Sequence, residues 1–430
     1  MNLQNDPALS PASFRLEGGL MSLDPRDPAF YENPYPAYRR LIEDGGIARW
    51  DAIGGHAVAR YDLVAAILKD RRFGRIVPGN PEGRPDFSQK PVHLRAFYAL
   101  ESNSLLELEP PTHTRLRGLL TKAFVSRRIE RLAPQISAIA DGLIDAFPHD
   151  EPVDLIAAYA SPLPVRVIAE LIGVPASASD LLLDWSHRMV AMYTPGRSVE
   201  AEHAANGAAE DFADFLREIV EEKRKRPADD LISALIAAET EGGRLDRQEL
   251  ISLVVLLLNA GHEATVHQIG NGVKAILQSG ADPAGLFTDE ARAQATIEET
   301  LRFDPPLHLF ERYALEALDL PGGVTLARGD KVALLLAAAN RDPAAYADPD
   351  TFRPERYLEK STKIPTSFGG GIHFCIGAPL ARLELKIALE RVFARCPQLQ
   401  MTASSQYRDS WHFHGLEKLE VTAGARRDLT

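Results

Sequence analysis

Apolar positions return every three to four residues from about Thr112 to Lys274, the spacing of helices that bury one face. Three stretches break that period: "GVPASAS", "TPGRS" and "EGGRL". The longest unbroken run, 246 to 279, predicts the longest helix, and it contains Gly261 and the polar insert "NAGHEATVHQ". Upstream, "AYRRLIEDGG" predicts a short helix stopped at Gly45 and Gly46, since glycine suits the left-handed residue that ends a helix. Alternation in "GIARWDAIGGHAVARY" predicts a hairpin turning at Gly54 and Gly55, and strand character returns only at "GVTLARGDKVALLL". Residues 76 to 92, "IVPGNPEGRPDFSQKPV", predict a long loop of the kind that is functional or disordered in compact domains. Residues 1–25 carry no period and suggest a flexible arm, leaving 26–425 as one unit with no repeat and no Ser/Gly linker. The expected fold is a single large, mainly α domain with small β-sheets.

Composition narrows the function classes. Hydrophobic residues at 45% and charged residues at 25% fit a packed globular chain and exclude disorder as its general state. A net charge of -12 argues against nucleic acid as a partner, because such proteins present a basic footprint. Cys375 and Cys396 are too few for a disulfide framework. The polar N-terminus lacks the basic-then-apolar order of a signal peptide. The most apolar run, "LISLVVLLLNAG", falls short of the roughly 18 residues that span a bilayer. A cytoplasmic protein without a membrane anchor is the expectation.

The stretch "FGGGIHFCIGAPLARLELKIALE", 368 to 390, puts Cys375 on a glycine-rich turn just before a helical pattern. A thiolate is favoured there by free amides and the helix dipole. Gly369, Gly370 and Gly371 permit a tight turn, Gly377 permits close backbone approach to the sulfur, and Pro379 suits a first helical turn. One thiolate without further ligands cannot make a four-ligand structural zinc site. A nucleophile, the axial ligand of a haem and a buried structural thiol all stay open on these residues alone.

Three further stretches change the balance. "FGGGIHFCIG" has the order Phe, two residues, Gly, three residues, Cys, one residue, Gly. "ETLR", from Glu299 to Arg302, puts an acid and an arginine three apart on one helix face. "EPPTHTRLRGLLTKAF", 109 to 124, puts His113 and Arg117 four apart. With these motifs the chain resembles the cytochrome P-450 haem-thiolate monooxygenases, most of all their soluble bacterial members, over about residues 26 to 425. The resemblance implies haem b (iron protoporphyrin IX) between the long helix and the Cys375 loop, with Cys375 on the iron and Phe368 packed beside the sulfur. It implies propionate contacts from His113, Arg117, Arg312 and His373, and a buried network of Glu299, Arg302 and an arginine of "FRPER", Arg356 before Arg353.

On the other side of the haem, the resemblance leads one to expect Ala-Gly-x-acid-Thr. This chain has Ala260, Gly261, His262, Glu263, Ala264 and only then Thr265. One step along a helix turns a side chain by about 100°, so Thr265 is no substitute for the alcohol. The expectation is an oxygen groove at Gly261 and proton delivery from Glu263 through water or a substrate hydroxyl. "HEATVH" also invites a zinc-protease reading, but that motif needs histidines four apart and His262 and His267 are five apart.

The implied reaction inserts one atom of dioxygen into a lipophilic small molecule. NAD(P)H-derived electrons would come through a ferredoxin and a ferredoxin reductase, because no flavin or iron–sulfur segment follows the haem region. Arg115, Lys122, Arg382 and Lys386 form the candidate docking patch. Loop 76 to 100, region 180 to 200, Leu257 to Thr265 and Leu307 to Phe310 form the candidate pocket walls, with His93, Arg95 and His308 as polar handles. A peroxide-driven enzyme and a non-catalytic haem sensor are the alternatives.

Overall fold

The computed structural model describes residues 13–124, 126–148, 151–193, 196–240, 245–410 and 413–428. Its centre is the helix Arg247–Ser279, as the periodicity predicts. Asp246 caps it by accepting from the Glu249 N–H (2.8 Å), and Glu249 returns the bond to the Asp246 N–H (3.2 Å). Gly280 ends it in the left-handed conformation. Glu249 also takes Arg115 (2.5 Å) from the helix Thr112–Ala123 and Arg84 (2.9 Å) from the Pro/Gly-rich loop. One buried carboxylate thus ties two segments to the start of the long helix.

That helix packs on Pro162–Ile172, Glu290–Phe303 and Ala378–Arg395, inside one large apolar cluster. By length and composition it would cross a membrane, yet 72% of its apolar window is buried in the protein. A helix apolar all round and enclosed by other helices is a core element.

Two smaller apolar clusters flank a seven-stranded sheet. Its strands lie in the order Arg15–Glu17, Leu20–Ser22, Ile47–Trp50, Gly55–Val58, Lys331–Leu335, Leu309–Ala314, Phe73–Gly74. The hairpin at Gly54 and Gly55 and the short helix Tyr35–Glu43 form where the sequence puts them. Gly173 closes Pro162–Ile172 within "GVPASAS". Part of the break at "TPGRS" (194–195) and most of that at "EGGRL" (241–244) fall outside the described residues.

Two expectations need correction. The arm assigned to residues 1–25 is not loose throughout: Leu20–Ser22 pairs with Ile47–Trp50, and Met21 is buried. Residues 1–12 of that arm lie outside the described residues. The strand Leu309–Ala314 was missed because "LFERYA" mixes charges into a buried strand, hiding the alternation. It matters here, since its register puts Arg312 opposite Val332 in the sheet interior.

Candidate active site

Cys375 sits where the glycine-rich turn meets the helix Ala378–Arg395, with its N–H bonded to the Phe368 carbonyl (3.0 Å). Gly371 is the glycine this turn requires. Its φ is +67°, and a Cβ there would lie 2.3 Å from the Leu68 carbonyl oxygen. Gly377 is different: a Cβ there would stand 3.8 Å from the sulfur, an ordinary contact, so close approach to the thiol does not demand it. Gly369 shares the positive φ, and the Arg382 guanidinium lies 4.5 Å over the Phe368 ring.

Cys375 is accessible although many protein atoms surround it. Burial pushes its thiol pKa up, while the Gly377 N–H, the Arg117 charge and the Ala378 N–H pull the other way. The expectation that the glycines and the helix start keep it anionic is corrected: those groups do favour the thiolate, but burial outweighs them. A bound cation is what would deprotonate this thiol outright.

The four residues expected to hold the propionates lie near one another. His113 and His373 have ring centroids 4.3 Å apart, and Arg117 donates to the Phe374 carbonyl (2.6 Å). His113 is 1% exposed, yet neither ring nitrogen has a partner. Arg312 is equally enclosed and leaves Nη2 unpaired after Nη1 donates to the Glu311 carbonyl (3.0 Å). Burial and the nearby His373 hold His113 down to about 4, and burial and Arg75 hold Arg312 down to about 9. Buried donors without acceptors are costly, and two carboxylates arriving here would satisfy them. The residues therefore fit haem.

Two members escaped sequence reasoning. Arg75 donates through its backbone N–H to Glu109 (2.5 Å) and through Nη1 to the Glu311 carbonyl (3.2 Å), with its guanidinium 4.4 Å over Phe310. Glu109 also accepts from His373 (3.1 Å). Arg75 stands in a turn with no periodic signal. Glu109 lay inside a quoted motif, but nothing distinguished it from a surface acid.

Behind the loop, Glu299, Arg302 and Arg356 form a closed network. Arg302 grips Glu299 with two bonds (2.8 and 2.7 Å) and donates to the carbonyls of Asn340, Pro349 and Thr351. Arg356, not Arg353, brings a second guanidinium to Glu299 (3.1 Å), and Arg353 supplies its backbone N–H (2.6 Å).

On the long helix, Ala260 is exposed and Ala264 half-buried, so these two, four apart, share a helix face that the protein leaves partly uncovered. Gly261 faces Ile168 instead, where a Cβ would come within 3.2 Å of the Ile168 Cδ1 atom. The Thr265 hydroxyl is committed to the Gly261 carbonyl (3.1 Å). Glu263 is buried and turned toward histidines: His267 Nε2 lies 3.1 Å from Oε1, while His262 and His187 lie 3.5 and 3.7 Å from Oε2. Burial would raise its pKa, but the His267 bond and the three rings overcome that and hold it down to about 2. Both histidines of "HEATVH" are thus buried beside Glu263, and His267 bonds it.

Other expectations are redistributed. Arg115, Arg382 and Lys386 are paired with Glu249, Glu298 and Glu290, so three of the four docking cations are locally neutralised, and Lys122 is exposed. His308 is no pocket handle: it is buried between Tyr38 and His414. His93 bonds Glu202 (2.8 Å), and Arg95 lines an open cleft of about 440 Å³ with Phe87, Lys90 and Tyr98.

Comparison with known proteins gives a consistent picture. The family model described as Cytochrome P450 matches residues 293–413. Cytochrome P450 107B1 of Saccharopolyspora erythraea is 38% identical, over 93% of this chain and 97% of that protein. Vitamin D(3) 25-hydroxylase of Pseudonocardia autotrophica is 36% identical, over 92% and 95%. Among solved structures, epothilone D-bound cytochrome P450epoK superposes with a TM-score of 0.85 at 27% identity, over 94% of this chain and 99% of that one.

Proposed function

The chain belongs to the cytochrome P450 family of oxygen-incorporating oxidoreductases, and we propose that it hydroxylates a lipophilic small molecule at a haem b held by Cys375. The observation that carries this reading is the set of buried, unpaired donors on His113 and Arg312 beside an accessible Cys375. His113, Arg117, Arg312 and His373 would hold the propionates, and Arg75 positions Arg312 through their shared Glu311 carbonyl. When bound, the group supplies dioxygen activation, with the thiolate favouring O–O cleavage.

The chain's own work is positioning, water exclusion and proton movement. Ala260 and Ala264 leave room on the open helix face for substrate and for one water or substrate hydroxyl. Glu263, held as a carboxylate, would relay protons from solvent to that oxygen, and His267 orients it. Glu299, Arg302 and Arg356 hold the segment after the sheet against the helix Glu290–Phe303, which keeps the Cys375 loop in place.

A lipophilic substrate is supported by the alanine-lined helix face and by relatives named for vitamin D(3) hydroxylation and solved with epothilone D bound. Electrons would come from NAD(P)H through a ferredoxin and its reductase, in the cytoplasm. The test is product formation from substrates chosen by their shift of the ferric Soret band. Turnover with NAD(P)H, ferredoxin and reductase supports the reading. Turnover with hydrogen peroxide alone, or none with any binding compound, overturns it.

A further inference from the structure

The surroundings of Glu263 contain an electrostatic conflict that the proposed reaction does not resolve. His262 is fully buried, and its Nδ1 lies 3.0 Å from the Leu258 carbonyl, an oxygen that can only accept. Nδ1 therefore carries the proton, and the neutral ring turns an Nε2 lone pair toward the Glu263 carboxylate. That Nε2 has no hydrogen-bond partner, and Glu263 Oε2 stands 3.5 Å away. Two lone pairs face each other across a gap that calls for a cation.

A third ligand converges on the same gap. His187 Nε2 lies 3.7 Å from Oε2, and the ligand atoms of His187, His262 and Glu263 all fall within 4.8 Å of one another. Tetrahedral zinc with bonds of roughly 2.0–2.1 Å needs ligand atoms spaced by about 3.3 Å, close to these separations. The other oxygen, Oε1, is held by His267 (3.1 Å) and faced by Arg408 (3.8 Å), which leaves Oε2 for the ion. The Leu258 carbonyl orients His262 as backbone carbonyls orient metal-bound histidines. His187 is half-exposed and gives the ion a way in.

We propose that His187, His262 and Glu263 form a zinc-type divalent-cation site, with water as fourth ligand, on the helix Ser179–Val190 and the long helix. The motif spacing of "HEATVH" excluded a zinc helix within one segment, and the fold supplies the second histidine from another. One consequence rests on the proton-delivery role given to Glu263 above: an ion on Oε2 pins that carboxylate and slows turnover.

Equilibrium dialysis of the holoprotein against zinc chloride, with metal counted by mass spectrometry, tests the site. The expected result is one zinc per chain, with affinity at least about tenfold weaker in His187→Ala, a half-exposed position that does not threaten folding. Zinc-edge absorption should show only nitrogen and oxygen neighbours at roughly 2.0–2.1 Å. No stoichiometric zinc, zinc held equally by His187→Ala, or a sulfur neighbour at roughly 2.3 Å overturns the site. Zinc that slows product formation in wild type but not in His187→Ala supports the brake. Stoichiometric binding without slowing overturns the brake and leaves the site standing.

Discussion

Glu299 and Glu263 are both buried helix carboxylates with a basic partner one turn along, yet their surroundings make them opposites. Glu299 meets two guanidiniums that stay charged, and each guanidinium is further satisfied by backbone carbonyls. Glu263 meets three imidazoles, two of them with an unpaired nitrogen, and an arginine at 3.8 Å. Permanent charges with all bonds made give a fixed strut. Titratable partners with a bond left open give a group that can exchange protons or ions. The same local pattern on a helix thus serves structure in one place and chemistry in the other.

The comparison breaks most visibly at the strut. Glu299→Ala strands two buried guanidiniums and should cost about 3–5 kcal/mol. Expression as haem-free or aggregated protein, measured as the ratio of Soret to protein absorbance, is the expected outcome. A variant that binds haem normally would show the network to be dispensable.

Glu263→Gln sharpens the other half. It keeps the shape and removes the charge, so the Soret ratio should hold while NAD(P)H-driven product formation falls by about 10²-fold, as for loss of a proton-transfer group. The melting temperature should drop by less than in Glu299→Ala, because the ionised form that His267 holds also stabilises the fold. Equal loss of stability in both variants would erase the distinction between strut and working acid.

Glu384, on the helix that follows Cys375, extends the comparison to a buried carboxyl with no partner for Oε1. Burial pushes it up to about 8, above its ordinary 4.5. Between those values the folded chain keeps a proton that the unfolded chain has lost, so stability falls as pH rises through this window. Glu384→Gln, a mimic of the protonated acid, should melt a few degrees higher at pH 8 and close to wild type near about pH 5. A pH-independent difference would contradict this assignment.

The sequence carried much of this because the strut, the cysteine turn and the crossing helix are local motifs. Glu299 with Arg302, and His113 with Arg117, are one turn apart, so helical spacing alone brings each pair together. Arg356 could be preferred over Arg353 only by resemblance, since the two lie three residues apart in one short stretch. Arg75, Glu109, His187 and Arg408 reach the site through long-range folding, with no spacing that could announce them. His308 misled because a pocket and a buried polar cluster look alike in one dimension. The docking patch misled because its carboxylate partners lie on other helices.

The central claim is that Cys375 is the thiolate ligand of a haem seated among His113, Arg117, Arg312 and His373. The reduced carbon-monoxide difference spectrum of the holoprotein tests it most directly, measured beside Cys375→His. The account predicts a thiolate-type spectrum in the wild type and an imidazole-type spectrum in the variant. An imidazole-type spectrum in the wild type, or a thiolate-type spectrum that survives Cys375→His, would contradict it.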